Sequence, residues 1–212
     1  MKKITFIGLL LFSVFAGTSV AQNIPYMTLI DREEMKYMDN SEISIADWNE
    51  YEFDMKNRFG ADSPEFLSTI PDTLFFRKWY KYSYISAAKI NKPYRYSKPD
   101  LEFKRNNYDI CPMIGVSHQQ CVDYCRWRTE RFRWNIKNID KVEFSLPTEE
   151  DYKKAEQFAA KTNDPPLSKL KSRKRSGKIY GLSDNVTEYT LDNKLEYADT
   201  PVGFRCVAKI VR

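Results

Sequence analysis

The residues best equipped for chemistry in this chain are four cysteines, Cys111, Cys121, Cys125 and Cys206. A thiol can close a disulfide, hold a soft metal ion or act as a nucleophile, and its surroundings decide which. An even count in an oxidising compartment favours two disulfides. A mixed metal site is disfavoured, because its usual partners are histidines and His118 is the only one. His118 falls in the first turn of an expected helix and reads as a partly exposed packing residue. Glu149-Glu150-Asp151 looks like a carboxylate cluster, yet it also falls in a first helical turn, where the backbone dipole favours negative charge. The chain has no G-x-S-x-G elbow and no glycine-rich phosphate loop.

The expected compartment follows from the first residues. Met1 to Ala21 reads as a secretory signal: Lys2 and Lys3 form the charged start, Ile4 to Ala16 the apolar run, and Ser19-Val20-Ala21 sets small residues before a cut. The run is short for a bilayer span. Gln22 is therefore the expected mature start, and the periplasm or cell surface of a bacterium the expected address. The segment has no cysteine to carry a lipid anchor, so membrane association is expected only through a partner. Removing residues 1–21 from the 212 leaves 191, and taking Lys2 and Lys3 from a formal charge of +5 leaves +3. That length suits a single domain over residues 22–212 with a real core. So small a charge argues against a nucleic-acid partner.

The elements that must position these residues are short. Residues 22–40 read as an arm or edge strand. Ser44 opens a helix with Asp47 as its capping-box partner, Trp48, Tyr51, Met55 and Phe59 form its apolar face, and Gly60 stops it. Prolines at 64, 71, 93 and 99 break residues 61–109 into loops and short strands, one of them over Leu74 to Tyr80. Cys111 to Val116 is a short buried strand or extended lead-in to a second helix. Ser117 caps that helix with Gln120 as reciprocal partner, and it runs to about Phe132. Cys121, Cys125 and Arg128 share one side of it. Thr148 caps a third helix with Asp151 three positions on, and Tyr152, Ala155 and Ala159 make its apolar face. Lys169 to Lys178 is a basic, solvated loop. Gly203 to Ala208 is strand-like. With 15% aromatic residues and seven glycines, aromatic bulk is expected to fill an irregular core.

Several of these segments resemble one family in its order. Cys111-Pro112-Met113-Ile114-Gly115-Val116-Ser117-His118-Gln119-Gln120-Cys121-Val122-Asp123-Tyr124-Cys125-Arg126-Trp127 is similar to the pattern Y-P-V-x-x-V-S-W-x-x-A-x-x-Y-C-x-W. Leu146-Pro147-Thr148-Glu149 resembles an L-P-T-E helix start, Gly203-Phe204-Arg205-Cys206 a terminal G-F-R-C, and Glu42-Ile43-Ser44 an early E-V-T. Gly181-Leu182-Ser183-Asp184 with Asn185-Val186-Thr187-Glu188-Tyr189-Thr190 resembles a shortened G-L-Y-D-M-V-G-N-V-W-E-W-T. These are motifs of the formylglycine-generating enzyme, or sulfatase-modifying factor, family, and they cover about half of the expected mature chain. Leu67-Ser68-Thr69-Ile70-Pro71-Asp72-Thr73 and Arg126-Trp127-Arg128-Thr129-Glu130-Arg131 also resemble segments of the gliding-motility lipoproteins J and K of the type IX secretion machinery.

The resemblance implies an irregular α+β fold related to C-type lectins, with few helices around short mixed strands. It implies a Cys125–Cys206 bridge. Cys111 and Cys121 stand where the pattern has Tyr and Ala, and are expected to form the second bridge. Active members hold Cu(I) with two thiols in a late segment before G-F-R-C, whereas Leu191 to Val202 has no Cys, Trp or Gly. Three histidines, as in the iron-dependent branch, are absent as well. No redox cofactor is therefore expected. Calcium is the one ion the resemblance leaves open, with Asp184, Asn185 and Glu188 as hard oxygen ligands.

The resulting expectation is a non-catalytic binding or assembly module of the bacterial envelope, accessory to gliding motility or type IX secretion, with an envelope protein as partner. Two alternatives stand beside it. One is a formylglycine-generating-type oxidase acting on a partner cysteine; the other is a lectin-like glycan binder. Trp79, Tyr80, Tyr82, Arg126, Trp127, Arg131 and Trp134 are of the types that anchor protein contacts, although most are expected to serve the core.

Overall fold

A computed structural model describes residues 24–81, 83–84, 110–135, 141–163, 165–170, 177–192 and 201–211. The expected signal over 1–21, most of the basic loop at 169–178 and most of the 191–202 segment lie outside these residues. The architecture is mixed α+β: a four-stranded antiparallel sheet, a two-stranded parallel pair, and helices packed around them.

The 22–40 arm forms a hairpin, β1 (Met27–Asp31) and β2 (Lys36–Asp39), with β1 at the edge of the sheet. Helix α1 (Ile45–Phe59) starts at Ser44, whose hydroxyl accepts from the Asp47 N–H at 3.1 Å while Asp47 accepts from the Ser44 N–H at 3.0 Å. Gly60 ends it as expected. Its apolar face is shorter than the spacing predicts. Trp48 and Tyr51 are buried, Phe59 is 44% exposed, and Asn49 and Glu52 are buried in its place. Those two meet Tyr84, whose hydroxyl lies 2.8 Å from Glu52 and 3.4 Å from Asn49.

The expected strand over Leu74 to Tyr80 is a helix. Short α2 (Pro64–Leu67) precedes α3 (Thr73–Tyr80), and Asp72 caps α3 by accepting from the N–H groups of Leu74 and Phe75, both at 2.9 Å. Phe76 and Tyr80 stand one turn apart and are buried, while Leu74 is 77% exposed. The cap and the four-residue spacing outweigh the imperfect alternation.

Cys111 to Val116 is an extended lead-in held against α1: Met113 donates to the Ile43 carbonyl at 2.8 Å, and Ile45 donates to the Cys111 carbonyl at 3.0 Å. Helix α4 (His118–Asn135) begins with the reciprocal Ser117–Gln120 bonds at 2.7 and 3.2 Å. Strand β3 (Lys141–Ser145) leads to α5 (Glu149–Ala155), capped by Thr148 and Asp151. Helix α5 ends earlier than expected. Glu156–Phe158 tightens into a 3-10 turn and Ala159 leaves the helix to bridge Ile179, exposed rather than on an apolar face. Strands β4 (Thr187–Glu188) and β5 (Val202–Gly203) form the parallel pair, and β6 (Val207–Val211) completes the sheet in the order β1-β2-β6-β3. The strand-like run over 203–208 is thus split at Phe204 to Cys206.

Aromatic rings fill the core. Trp48 stacks on Tyr124 at 5.6 Å and meets Phe204 edge-on at 5.9 Å, and Tyr51 and Trp127 close the cluster between α1 and α4. Each such pair adds about 0.5–1.5 kcal/mol beyond the area it buries. The same cluster fixes Phe204, and with it the flanking Arg205 and Cys206.

Candidate functional site

Arg205 follows Phe204 into the interior and is fully buried. A buried guanidinium must find its charge and its hydrogen-bond acceptors inside the protein. Here Nε donates to Glu188 Oε2 at 2.7 Å and Nη2 to Glu188 Oε1 at 2.5 Å, a two-point ion pair. The remaining donors reach the carbonyls of Gly181 at 3.0 Å, Tyr180 at 3.1 Å and Asp39 at 3.3 Å. Glu42 approaches the same guanidinium at 3.9 Å and is 1% exposed. The Tyr152 hydroxyl donates to Glu188 Oε2 at 2.5 Å, and Asn185 Nδ2 donates to Glu42 Oε1 at 2.9 Å. Four side chains from three segments, Glu42, Tyr152, and Asn185 with Glu188, therefore gather around one buried cation.

Burial pushes the Glu42 carboxyl up to about 7; Arg205 pulls the other way and Glu188 adds to the rise. Burial, and then the Glu188 charge, also push the Tyr152 phenol well above its ordinary range, so it donates as a neutral hydroxyl. Arg205 is held charged, because its carboxylate partners outweigh the cost of burial.

Gly181 is part of this packing. It has φ +65°, and a Cβ placed there would lie 2.4 Å from Glu42 Oε1. Gly181→Ala is expected to cost about 2–5 kcal/mol, combining a left-handed alanine with overpacking. A urea-unfolding series reads this directly; a loss under about 1 kcal/mol would mean that the Glu42 carboxylate moves aside freely.

A second, part-buried pair lies on the other side of the terminal segment. Arg128 binds both oxygens of Asp39 at 2.6 and 2.8 Å, and Asp39 Oδ2 also accepts from the Cys206 N–H at 2.9 Å. The guanidinium sits 4.4 Å over the Phe144 ring. Helix α4 is thereby tied to β2, β3 and the turn at Cys206.

All four cysteines are buried thiols in this structure, and neither expected bridge, Cys125–Cys206 or Cys111–Cys121, is formed in it. Cys125 and Cys206 do meet, sulfur to sulfur, at 3.3 Å. Cys121 lies one turn before Cys125 on α4, within electrostatic reach of Cys125 and Cys206. The helix thus turns Cys121 toward that pair. Burial, reinforced by the neighbouring sulfurs, pushes the Cys121 and Cys125 thiols well above their ordinary range, the opposite of what a nucleophile or metal ligand needs.

The three residues considered for calcium are separated in role. Glu188 has both oxygens engaged by Arg205 and Tyr152; Asn185 bonds Glu42 and accepts from the Ser168 N–H at 2.8 Å; Asp184 lines a surface pocket. As arranged they do not fit a calcium ion, because a guanidinium already occupies the place of the cation against Glu188. Among the described residues no cluster of His, Cys, Asp and Glu is arranged to hold a metal ion, and no helix is long and apolar enough to cross a membrane.

His118 packs edge-on to Tyr189, and its Nε2 lies 3.0 Å from the Thr190 carbonyl; since a carbonyl only accepts, Nε2 carries the hydrogen. Asp151 caps α5 and pairs with Lys36 at 2.9 Å, a structural use of the Glu149-Glu150-Asp151 run. Of the aromatic and arginine residues considered as contact anchors, Tyr80 and Trp127 are in the core, while Arg126 is exposed.

Trp79 belongs to the pocket instead. It stands at the end of α3, and with Glu149 and Tyr152 of α5 and the 182–190 segment it encloses about 650 Å³. Its Nε1 is buried and finds no hydrogen-bond acceptor among the described residues. Its lining includes Glu188 and Tyr152, so the pocket shares two side chains with the Arg205 network. Sequence reading overlooked both the network and the pocket. One local sign of the network was available: a charged residue inside the apolar run Phe204-Arg205-Cys206-Val207-Ala208 needs a buried counter-charge. Comparison with known proteins gives no match: no family model, no curated protein and no solved structure is similar to this chain.

Proposed function

We propose that this chain is a non-catalytic binding or assembly module of the bacterial cell envelope, on a scaffold of the formylglycine-generating-enzyme type. In this reading it is exported by way of residues 1–21 and serves gliding motility or type IX secretion beside an envelope protein. The observation that carries the proposal is the Arg205 network. Glu188, Asn185 and Glu42, the polar groups best suited to a ligand or catalytic role, hold the terminal segment together instead. The buried thiols support the same reading, since raised pKa values disfavour the thiolate that copper binding and nucleophilic attack both require.

Two measurements test it. Loaded with Cu(I) and supplied with oxygen and a cysteine-containing peptide, the purified mature chain is expected to leave the peptide thiol unchanged by mass spectrometry. Conversion of that cysteine to an aldehyde would establish the oxidase alternative. In intact source cells, a membrane-impermeant cross-linker is expected to join the chain to an envelope protein; recovery of the monomer alone would remove the assembly role.

A further inference from the structure

The oxygens around Arg205 form a cage whose spacing selects its occupant. The guanidinium bonds both oxygens of Glu188 and the carbonyls of Asp39, Tyr180 and Gly181 at 2.5–3.3 Å, and the Glu42 carboxylate stands at 3.9 Å. All of these atoms are hard oxygens, the kind that a calcium ion also takes. Calcium, however, draws its oxygens to about 2.3–2.6 Å from one centre. In this cage the oxygens meet separate nitrogens of a planar fork, each set off from the central carbon by a C–N bond. A spherical ion at that centre would leave most of them out of reach unless the walls moved inward.

The walls are fixed from outside. Asp39 N–H donates to the Cys206 carbonyl at 3.0 Å, Ile43 N–H to the Phe204 carbonyl at 2.8 Å, and Tyr180 N–H to the Asn40 carbonyl at 2.8 Å. Gly181 leaves no slack on its side, since even a Cβ there would meet the Glu42 carboxylate. Arg205 is fixed by its neighbours: Phe204 packs on Trp48 and Tyr124, and the Cys206 N–H donates to Asp39 Oδ2 at 2.9 Å.

We propose that Arg205 is a tethered cation in a cage selective for a planar guanidinium over a spherical metal ion, so that the 180–188 segment closes onto residues 39–42 without calcium. The terminal turn supplies the counter-charge for Glu188 from within the chain. Closure of the segment therefore does not follow the surrounding calcium concentration. The inference goes beyond the assembly role and does not depend on it: loss of the envelope cross-link leaves the cage standing, and a calcium-dependent cage leaves the assembly role standing.

Hydrogen exchange on the full mature chain, read by mass spectrometry on a peptide spanning residues 180–188, tests the native protein. Protection is expected to be equal in EDTA and in calcium at about 10 mM, a level that raises the folded-to-unfolded ratio about 10- to 100-fold for a site with the affinity of extracellular calcium modules. Arg205→Ala empties the cage and tests its selectivity. Its urea midpoint is expected to rise in millimolar methylguanidinium chloride, and to rise less in calcium chloride or methylammonium chloride of equal ionic strength. Arg205→Lys keeps the charge without the fork, and is expected to retain at least half of the alanine variant's midpoint loss. Calcium-dependent protection of the 180–188 peptide overturns the proposal. So does a rescue of Arg205→Ala by calcium equal to that by methylguanidinium, the absence of any rescue by methylguanidinium, or a native midpoint in Arg205→Lys. If Arg205→Ala does not fold, the exchange experiment and the lysine variant decide.

Discussion

Arg205→Met is expected to lower the unfolding free energy by about 3–5 kcal/mol, the range found when one partner of a buried ion pair is removed. Methionine fills much of the same volume, so the loss reports charge and hydrogen bonding rather than a cavity. Without the guanidinium, Glu188 and Glu42 remain as acids with side chains 5% and 1% exposed. The carbonyls of Asp39, Tyr180 and Gly181 lose a donor at the same time. A buried carboxylate with no counter-charge takes up a proton, so the penalty should shrink as pH falls from 7.5 to 5. Urea unfolding at both pH values measures this. Adding Glu188→Gln should recover part of the loss, because a neutral pair replaces a broken ionic one. If the single variant loses under 1 kcal/mol, or if its loss does not depend on pH, Arg205 is not the centre of the network. Should Arg205→Met fail to fold at pH 7.5, its recovery at pH 5 or with Glu188→Gln reads the same cause.

The parts of this fold that were legible in the sequence are those whose causes lie within a few residues. Three capping boxes, Ser44 with Asp47, Ser117 with Gln120 and Thr148 with Asp151, mark three helix starts correctly because both partners sit in one turn. The aromatic core followed from composition, whereas the α+β class was what the family resemblance implied. Over Leu74 to Tyr80 the rings of Phe75, Phe76, Trp79 and Tyr80 suit a strand as well as a helix, and the Asp72 cap, to which the sequence expectation gave no weight, decides between them. Phe59 obeys the helical period but lies past the edge of the core, which no local pattern can reveal.

The candidate site was least legible because its bonds are long-range. Asn185 meets Glu42 across 143 residues and Arg128 meets Asp39 across 89. Glu188 was read by residue type as a calcium ligand, and the structure gives it a cation of another kind, a guanidinium from 17 residues further on. The donor set was recognised but its partner was not. That the Trp79 indole N–H meets no acceptor among the described residues is visible only once α3, α5 and the 182–190 segment are in place.

Between about pH 4.5 and 7 the protein is expected to lose up to about 3 kcal/mol of stability as pH rises, with Glu42 as the cause. Burial raises this carboxyl from an ordinary 4.5 to about 7 in the folded protein. The folded state therefore binds a proton that the unfolded chain has released in that window, and each rise in pH favours unfolding. The stabilisation is fully present below about 4.5, falls through the window and is gone above about 7. Arg205 and Glu188 are the charged groups facing Glu42, and Asn185 and Gly181 are its neutral neighbours. Asp31 acts in the opposite sense at lower pH. Backbone and Lys154 hydrogen bonds hold it near 2, so its small, solvent-screened contribution is lost only as pH falls below about 3.8. Glu42→Gln keeps an acceptor for Asn185 and removes the titration. Urea midpoints at pH 5, 6, 7 and 7.5 should fall with pH for the native chain and stay nearly level for the variant. At pH 7.5 the variant should be as stable as the native protein or more so. Parallel slopes for the two proteins, or a native slope that rises with pH, would place the titrating group elsewhere.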